Sequence, residues 1–251
     1  MILLFDIGNS RMHWATLRDG KMGVSQAVLH ADVSFDGDDF RSLNEVDDVE
    51  SIWVANVAGQ AVARQLTDWS MARWRIKPHF AVSPVSGFGV INKYREPAKL
   101  GIDRWLNLVA AHRIVRGFAC VVDCGSAITF DVLTPAGEHL GGLIMPGLRM
   151  MTGALARETH AIVCYNSSDT DGSFPGWATQ TADAVSKGVL YAASGGINAA
   201  IHEAREKYGD AVQVLLTGGD ADTIAPRLQV PVIREQDLVL KGLAIVALEG
   251  R

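Results

Sequence analysis

Two acidic turns recur along this chain. Asp6-Ile7-Gly8-Asn9-Ser10 follows the apolar run Ile2–Phe5, and Asp123-Cys124-Gly125-Ser126 follows Cys120–Val122. Each has an apolar run, Asp, any residue, Gly and at least one polar residue. A glycine lets backbone amides approach phosphate oxygens, and a carboxylate at the strand end can hold a cation beside them. An isolated Asp-x-Gly-Asn is also an ordinary hairpin turn. Its echo 117 residues later favours the phosphate reading, in which Asn9 and Ser10 hold β- and γ-phosphates and Asp6 orients Mg²⁺, directly or through water. Asp123 follows apolar residues, where an uncompensated carboxylate is costly, so a cation partner is expected there too.

A third segment is Leu100-Gly101-Ile102-Asp103-Arg104-Trp105. Asp103 and Arg104 are adjacent where an apolar helix should begin. The pair suits a base next to an anion clamp, with Gly101 permitting close approach of a ligand. It also suits a helix-terminal acid favoured by the macrodipole, with a surface cation beside it. Thr217-Gly218-Gly219-Asp220 follows a strand, where bare backbone could lie against a nucleotide, although many strands end this way. His13, His79, His112, His139, His160 and His202 are scattered, with no pair at metal-ligand spacing. Cys120, Cys124 and Cys164 are read as reduced, partly buried thiols.

These residues need a scaffold. Strands are predicted at Ile2–Asp6 and Met12–Arg18, with Asp19-Gly20 as a hairpin turn. Asp32–Glu50 is weakly patterned and is expected to hold a strand, a surface helix and loops. Ser51–Val57 reads as a strand, Ala61–Trp74 as a helix and His79–Val82 as a strand. Ser83–Lys99 is a Gly- and Pro-rich connector, and Leu100–Val115 a helix. The pattern then restarts with strands at Ala119–Asp123, Ala127–Leu133 and Glu138–Met145, and a helix at Leu148–Thr159. Tyr165–Gly176, rich in Ser, Asp and Gly, is expected to be a mobile loop. A helix at Thr181–Tyr208, strands at Gln213–Thr217 and Val230–Ile233, and a helix at Leu238–Leu248 complete it. The halves echo each other, so we expect an α/β chain of duplicated lobes, 1–99 and 100–251, each a mixed sheet flanked by helices, with a cleft between.

Composition narrows the function. The chain has 251 residues, is 48% hydrophobic and 20% charged, and carries a formal net charge of −5. With no basic block, nucleic acid is disfavoured as the main ligand. No apolar run is long enough to span a bilayer, and a cytoplasmic location is expected.

Taken together and in order, Asp6-x-Gly8-Asn9-Ser10, Tyr94 before Pro97, Gly101-x-Asp103-Arg104-Trp105, Asp123-x-Gly125-Ser126-Ala127-x-Thr129, Gly141-Gly142-x-x-x-Pro146-Gly147 and Thr217-Gly218-Gly219 resemble the type III pantothenate kinases. That family includes proteins first described as Bvg accessory factors. The resemblance implies a ribonuclease H-like, actin-like ATPase fold and the first step of coenzyme A synthesis, in which ATP phosphorylates pantothenate. It implies that Asp103 is the general base, that Tyr94, Gly101, Ile102, Arg104 and Thr181 bind pantothenate, with Thr181 reaching it from a partner subunit, and that the enzyme is a homodimer. It implies that Asp6, Ile7, Gly8, Asn9, Ser10, Arg11, Met12, His13 and Ser126 contact ATP, and that Asp123 holds a monovalent cation, potassium or ammonium. Ser10 and Ser126 stand where Thr is more usual, and His13 where many relatives carry Lys. Other implied readings are a small-acceptor kinase of the same superfamily and a catalytically weak regulatory accessory factor.

Overall fold

The computed structural model describes residues 1–29, 35, 40, 43, 46–159 and 177–250. Most of the expected Asp32–Glu50 elements, the Tyr165–Gly176 loop, Cys164 and His160 lie outside the described residues. In chain order the elements are β1 (Ile2–Ile7), β2 (Arg11–Arg18), β3 (Lys21–Met22), β4 (Gln26–Leu29), β5 (Ser51–Asn56), α1 (Gln60–Trp74), β6 (His79–Phe80), β7 (Ser86–Gly87), β8 (Val90–Asn92) and α2 (Ile102–Ile114). They continue as β9 (Ala119–Cys124), β10 (Ala127–Leu133), β11 (Glu138–Pro146), α3 (Leu148–Glu158), α4 (Thr181–Tyr208), β12 (Gln213–Thr217), α5 (Ala221–Ile224), β13 (Ile233–Arg234) and α6 (Leu238–Glu249).

Internal packing divides the chain into two units. One comprises Met1–Gly117, Leu133–Gly141 and Gln236–Arg251; the other comprises Phe118–Val132 and Gly142–Glu235. α2 and α6 belong to the first of these units.

The first unit is built on a sheet in the order β3-β2-β1-β5-β6, with β4 also pairing β2. β1 runs antiparallel to β2 and parallel to β5. Asp19 and Gly20 both take positive φ, as a two-residue primed hairpin turn requires. Strand period two decides the faces. Leu3, Phe5 and Ile7 join Ile52, Val54 and the α1 residues Val62, Leu66 and Trp69 in one buried cluster. Ile2, Leu4 and Asp6 therefore share the opposite face. The second unit repeats the arrangement. The second sheet has seven strands in the order β7-β8-β11-β10-β9-β12-β13, and β12 is parallel to both β9 and β13. Cys120, Val122 and Cys124 pack against Ala193, Ile197, Ala200, Ile201 and Ala204 of α4. Asp123 thus shares the other face with Ala119 and Val121. The fold is α/β with two mixed sheets flanked by helices, and no helix among the described residues is long and apolar enough to cross a membrane.

Two expectations are corrected. The connector Ser83–Lys99 contains β7, β8 and a short 3-10 turn at Pro97–Lys99. The last strand is Ile233–Arg234, set by its pairing with Leu215 and Leu216 rather than by apolar character at Val230.

Within the first unit α2 carries Asp103 and Arg104, and α6 packs directly upon it. At the crossing Gly242 meets the backbone of Leu106: an added Cβ would overlap its carbonyl oxygen and lie 2.7 Å from the carbonyl carbon. Backbone cannot yield as a side-chain tip can. Gly242→Ala is therefore expected to destabilise the fold by about 1–3 kcal/mol, a fall in Tm of roughly 3–10 °C by thermal unfolding. An unchanged Tm would mean that the helices separate without cost.

Candidate active site

The first turn lies at the end of β1. The Gly8 amide donates to the Arg11 carbonyl at 3.0 Å, and a Cβ on Gly8 would stand 3.0 Å from that same oxygen. Ile7 and Met12 are fully buried, so any contact they make with phosphate is through their backbone. Asn9 and Arg11 are exposed, and Ser10 is half-buried. Asp6 is registered opposite His13 on β2. His13 Nδ1 lies 3.8 Å from Asp237 Oδ1, and Ser25 Oγ donates to Asp237 Oδ2 at 2.6 Å. Burial pushes the His13 pKa below its ordinary value; Asp237 pulls it up and Arg11 adds to the lowering. The imidazole is then neutral at neutral pH and supplies no fixed charge. His13→Gln is accordingly expected to leave KM for ATP within about twofold at pH 7.5. A tenfold rise in steady-state assays would return a charge to position 13.

The second cluster opens α2. Gly101 precedes the helix, and the Asp103 carboxylate folds back so that Oδ1 accepts the Arg104 amide at 2.8 Å. A Cβ on Gly101 would come within 2.5 Å of Asp103 Oδ1. Gly101 is needed for the carboxylate's own seat, a reason the sequence did not disclose. Asp103 is thus a helix-terminal acid as well as a candidate base. Arg104 is not a surface cation: it is only 4% exposed. Its Nη1 donates to the Tyr94 hydroxyl at 2.7 Å, and its guanidinium carbon lies 5.4 Å from the Tyr94 ring centroid. Ile102 is buried beside it. A buried guanidinium held by a tyrosine hydroxyl, on the residue that follows a helix-terminal carboxylate, suits a hydroxylated, anionic acceptor.

The third cluster is the Asp123 turn of the second unit. Gly125 N–H donates to the Ala127 carbonyl at 3.1 Å, the counterpart of the Gly8 bond. Two further turns close on it. Gly147 N–H donates to the Ser126 carbonyl at 3.1 Å, and a Cβ there would clash with the Ser126 and Gly125 carbonyl oxygens. Asp220 N–H donates to the Cys124 carbonyl at 2.9 Å. Gly218, at φ +94°, lies so close that a Cβ would be 2.5 Å from Asp123 Oδ1. Gly147 and Gly218 thus converge on the Asp123–Ser126 turn. A carboxylate oxygen in a cradle of bare backbone suits a hard cation. Burial pushes the Cys124 thiol up to about 12, with Asp123 and then Asp220 adding to it, and burial also lifts Cys120 to about 12. Both thiols are free and fully buried, hence inert. Thr181 is exposed at the first position of α4.

No His, Cys, Asp and Glu group at metal-binding geometry occurs among the described residues. Asp6 and Asp123 are single carboxylates on separate turns, which fits a cation shared with bound phosphates better than an all-protein cage. Asp237, Ser25, Asn92 and His139, neighbours of the expected residues, were not legible because nonlocal register brings them there.

The model of the family described as type III pantothenate kinase matches residues 2–203. A type III pantothenate kinase of Nitrosococcus oceani is 42% identical over 252 residues, covering 98% of this chain and 94% of that protein. A crystal structure from Campylobacter jejuni, described as a conserved candidate transcriptional activator of the Baf family, is 25% identical with a TM-score of 0.59, covering 99% of this chain and 98% of that one. The fold is shared with a candidate 2-dehydro-3-deoxygalactonokinase of Sinorhizobium meliloti, 15% identical with a TM-score of 0.56 and full coverage of both chains.

Proposed function

The chain belongs to the type III pantothenate kinase family, and we propose that it transfers the γ-phosphoryl group of ATP to pantothenate, giving 4′-phosphopantothenate in the first step of coenzyme A biosynthesis, with the residues above in the following roles. The observation that carries the assignment is the buried Arg104, bonded to Tyr94 and adjacent to the Asp103 carboxylate at the start of α2. Pantothenate is a hydroxy acid. Arg104 and Tyr94 hold its carboxylate end, with Gly101 and Ile102 shaping the site, and Asp103 takes the proton of its primary hydroxyl. The turn Asp6–His13 binds the ATP phosphates through backbone amides and the Asn9 and Ser10 side chains, and Ser126 contacts the nucleotide. Mg²⁺ held at Asp6, directly or through water, neutralises developing phosphate charge. Asp123 holds a monovalent cation, potassium or ammonium.

The equivalent strand orders β3-β2-β1-β5-β6 and β11-β10-β9-β12-β13 support reading 1–99 and 100–251 as duplicated lobes. We assign the enzyme to the cytoplasm and to a homodimer. α3 has no buried residue in the single chain, and Leu143, Ile144, Met150, Leu155 and Tyr191 are exposed in the same unit. Apolar surface of that extent favours a partner, and the exposed Thr181 is free to serve a neighbouring subunit's pantothenate. The test is a coupled ADP-release assay with pantothenate or other hydroxy acids, in potassium or sodium, alongside light scattering. Release that ignores pantothenate would overturn the acceptor assignment, and a monomer would overturn the dimer.

A further inference from the structure

Tyr94 is fixed by two residues that no motif marked. Its ring stacks on His139, with centroids 5.6 Å apart and planes 20° from parallel. His139 is fully buried. The Tyr94 amide donates to Asn92 Oδ1 at 3.1 Å. Asn92 is itself 4% exposed, and its Nδ2 donates to the carbonyls of Pro84 at 3.2 Å and Pro97 at 3.0 Å. Asn92 and His139 are direct partners in the parallel pairing of β8 with β11. One sheet register therefore supplies both a stacking surface for the ring and an anchor for the backbone.

We propose that His139 and Asn92 are positioning residues for acceptor binding: they hold Tyr94 so that its hydroxyl keeps Arg104 in the geometry of a carboxylate clamp. The inference rests on Arg104 and Tyr94 binding pantothenate. A tyrosine ring without a stacking partner gains rotational freedom, and the guanidinium bonded to it gains the same freedom. A clamp not set in advance must be ordered by the ligand, which weakens binding without altering the proton transfer. The defect should fall on the carboxylate-bearing acceptor and leave the nucleotide untouched.

The test uses the full-length enzyme. His139→Leu removes the ring at similar volume; His139→Gln removes it while keeping a polar side chain, and serves if the leucine variant does not fold. Either should raise KM for pantothenate about 3- to 10-fold, the range that one aromatic pair commands, with kcat and KM for ATP within about twofold. His139→Phe, which keeps a ring, should restore KM. In a Tyr94→Ala background the loss of His139 should add nothing further. An unchanged pantothenate KM, an equal rise in both KM values, no recovery with phenylalanine, or full additivity with Tyr94→Ala would overturn the brace. Arg104→Gln separates the two levels: if it leaves pantothenate KM unchanged, the clamp reading itself fails and the brace fails with it. If it raises KM while the His139 variants do not, only the brace fails.

Discussion

Asp103→Asn is expected to lower kcat by about 10²–10⁴-fold, with KM for ATP and pantothenate changed only a few-fold. The substitution is nearly isosteric, and the side-chain oxygen that accepts the Arg104 amide at 2.8 Å is retained. The start of α2 should therefore keep its geometry, and Arg104 its bond to Tyr94. What is lost is the capacity to accept a proton. Phosphoryl transfer proceeds through a loose transition state in most analyses, so the hydroxyl proton leaves late and the base need not have a raised pKa. It must only be in place as the acceptor oxygen commits. Single-turnover and steady-state rates, measured with a Tm control, decide the matter. An unchanged kcat would remove Asp103 from the base role and leave it as the helix-terminal acid that it also is.

That double character shows how far the residues could be read without coordinates. Asp6 and Asp123 were legible because each ends an apolar run and is followed by glycine. Strand alternation then places both on the face opposite the buried cluster. The helices at 60–74 and 181–208 were legible from their period, since one stripe of each is buried; the helix at 102–114 was legible as a long apolar run, since Arg104 to Ala111 are all buried. β7 and β8 were not: a strand of two or three residues has no period, and these exist through pairing with each other and with Glu138 and His139. Local sequence marked Tyr94 and Arg104 but could not show His139 beneath the ring, because that contact depends on a register between segments 47 residues apart. Glycines were visible as glycines, but not their reasons. Gly101 makes room for Asp103, Gly147 for the Gly125–Ser126 carbonyls and Gly218 for Asp123.

Asp123→Ala is expected to abolish activation by potassium or ammonium, so that the rate in either salt falls to that in sodium, a loss on the order of 10²-fold if the site is worth one preorganised electrostatic stabiliser. The fold should survive. Asp123 lies on the strand face away from Cys120, Val122 and Cys124, so the α4 cluster keeps its packing. The turn is also held by backbone: Asp220 N–H to the Cys124 carbonyl, Gly147 N–H to the Ser126 carbonyl and Gly125 N–H to the Ala127 carbonyl all remain. The variant loses the negative charge beside Gly218 and with it the attraction for a cation there. Pantothenate KM should change less than kcat, because Arg104 keeps its own bond to the Tyr94 hydroxyl. Titrations of potassium, ammonium and sodium chloride at constant ionic strength separate specific activation from screening. A variant that retains a potassium-over-sodium preference would place the cation elsewhere and leave Asp123 as a turn-forming residue of the strand end.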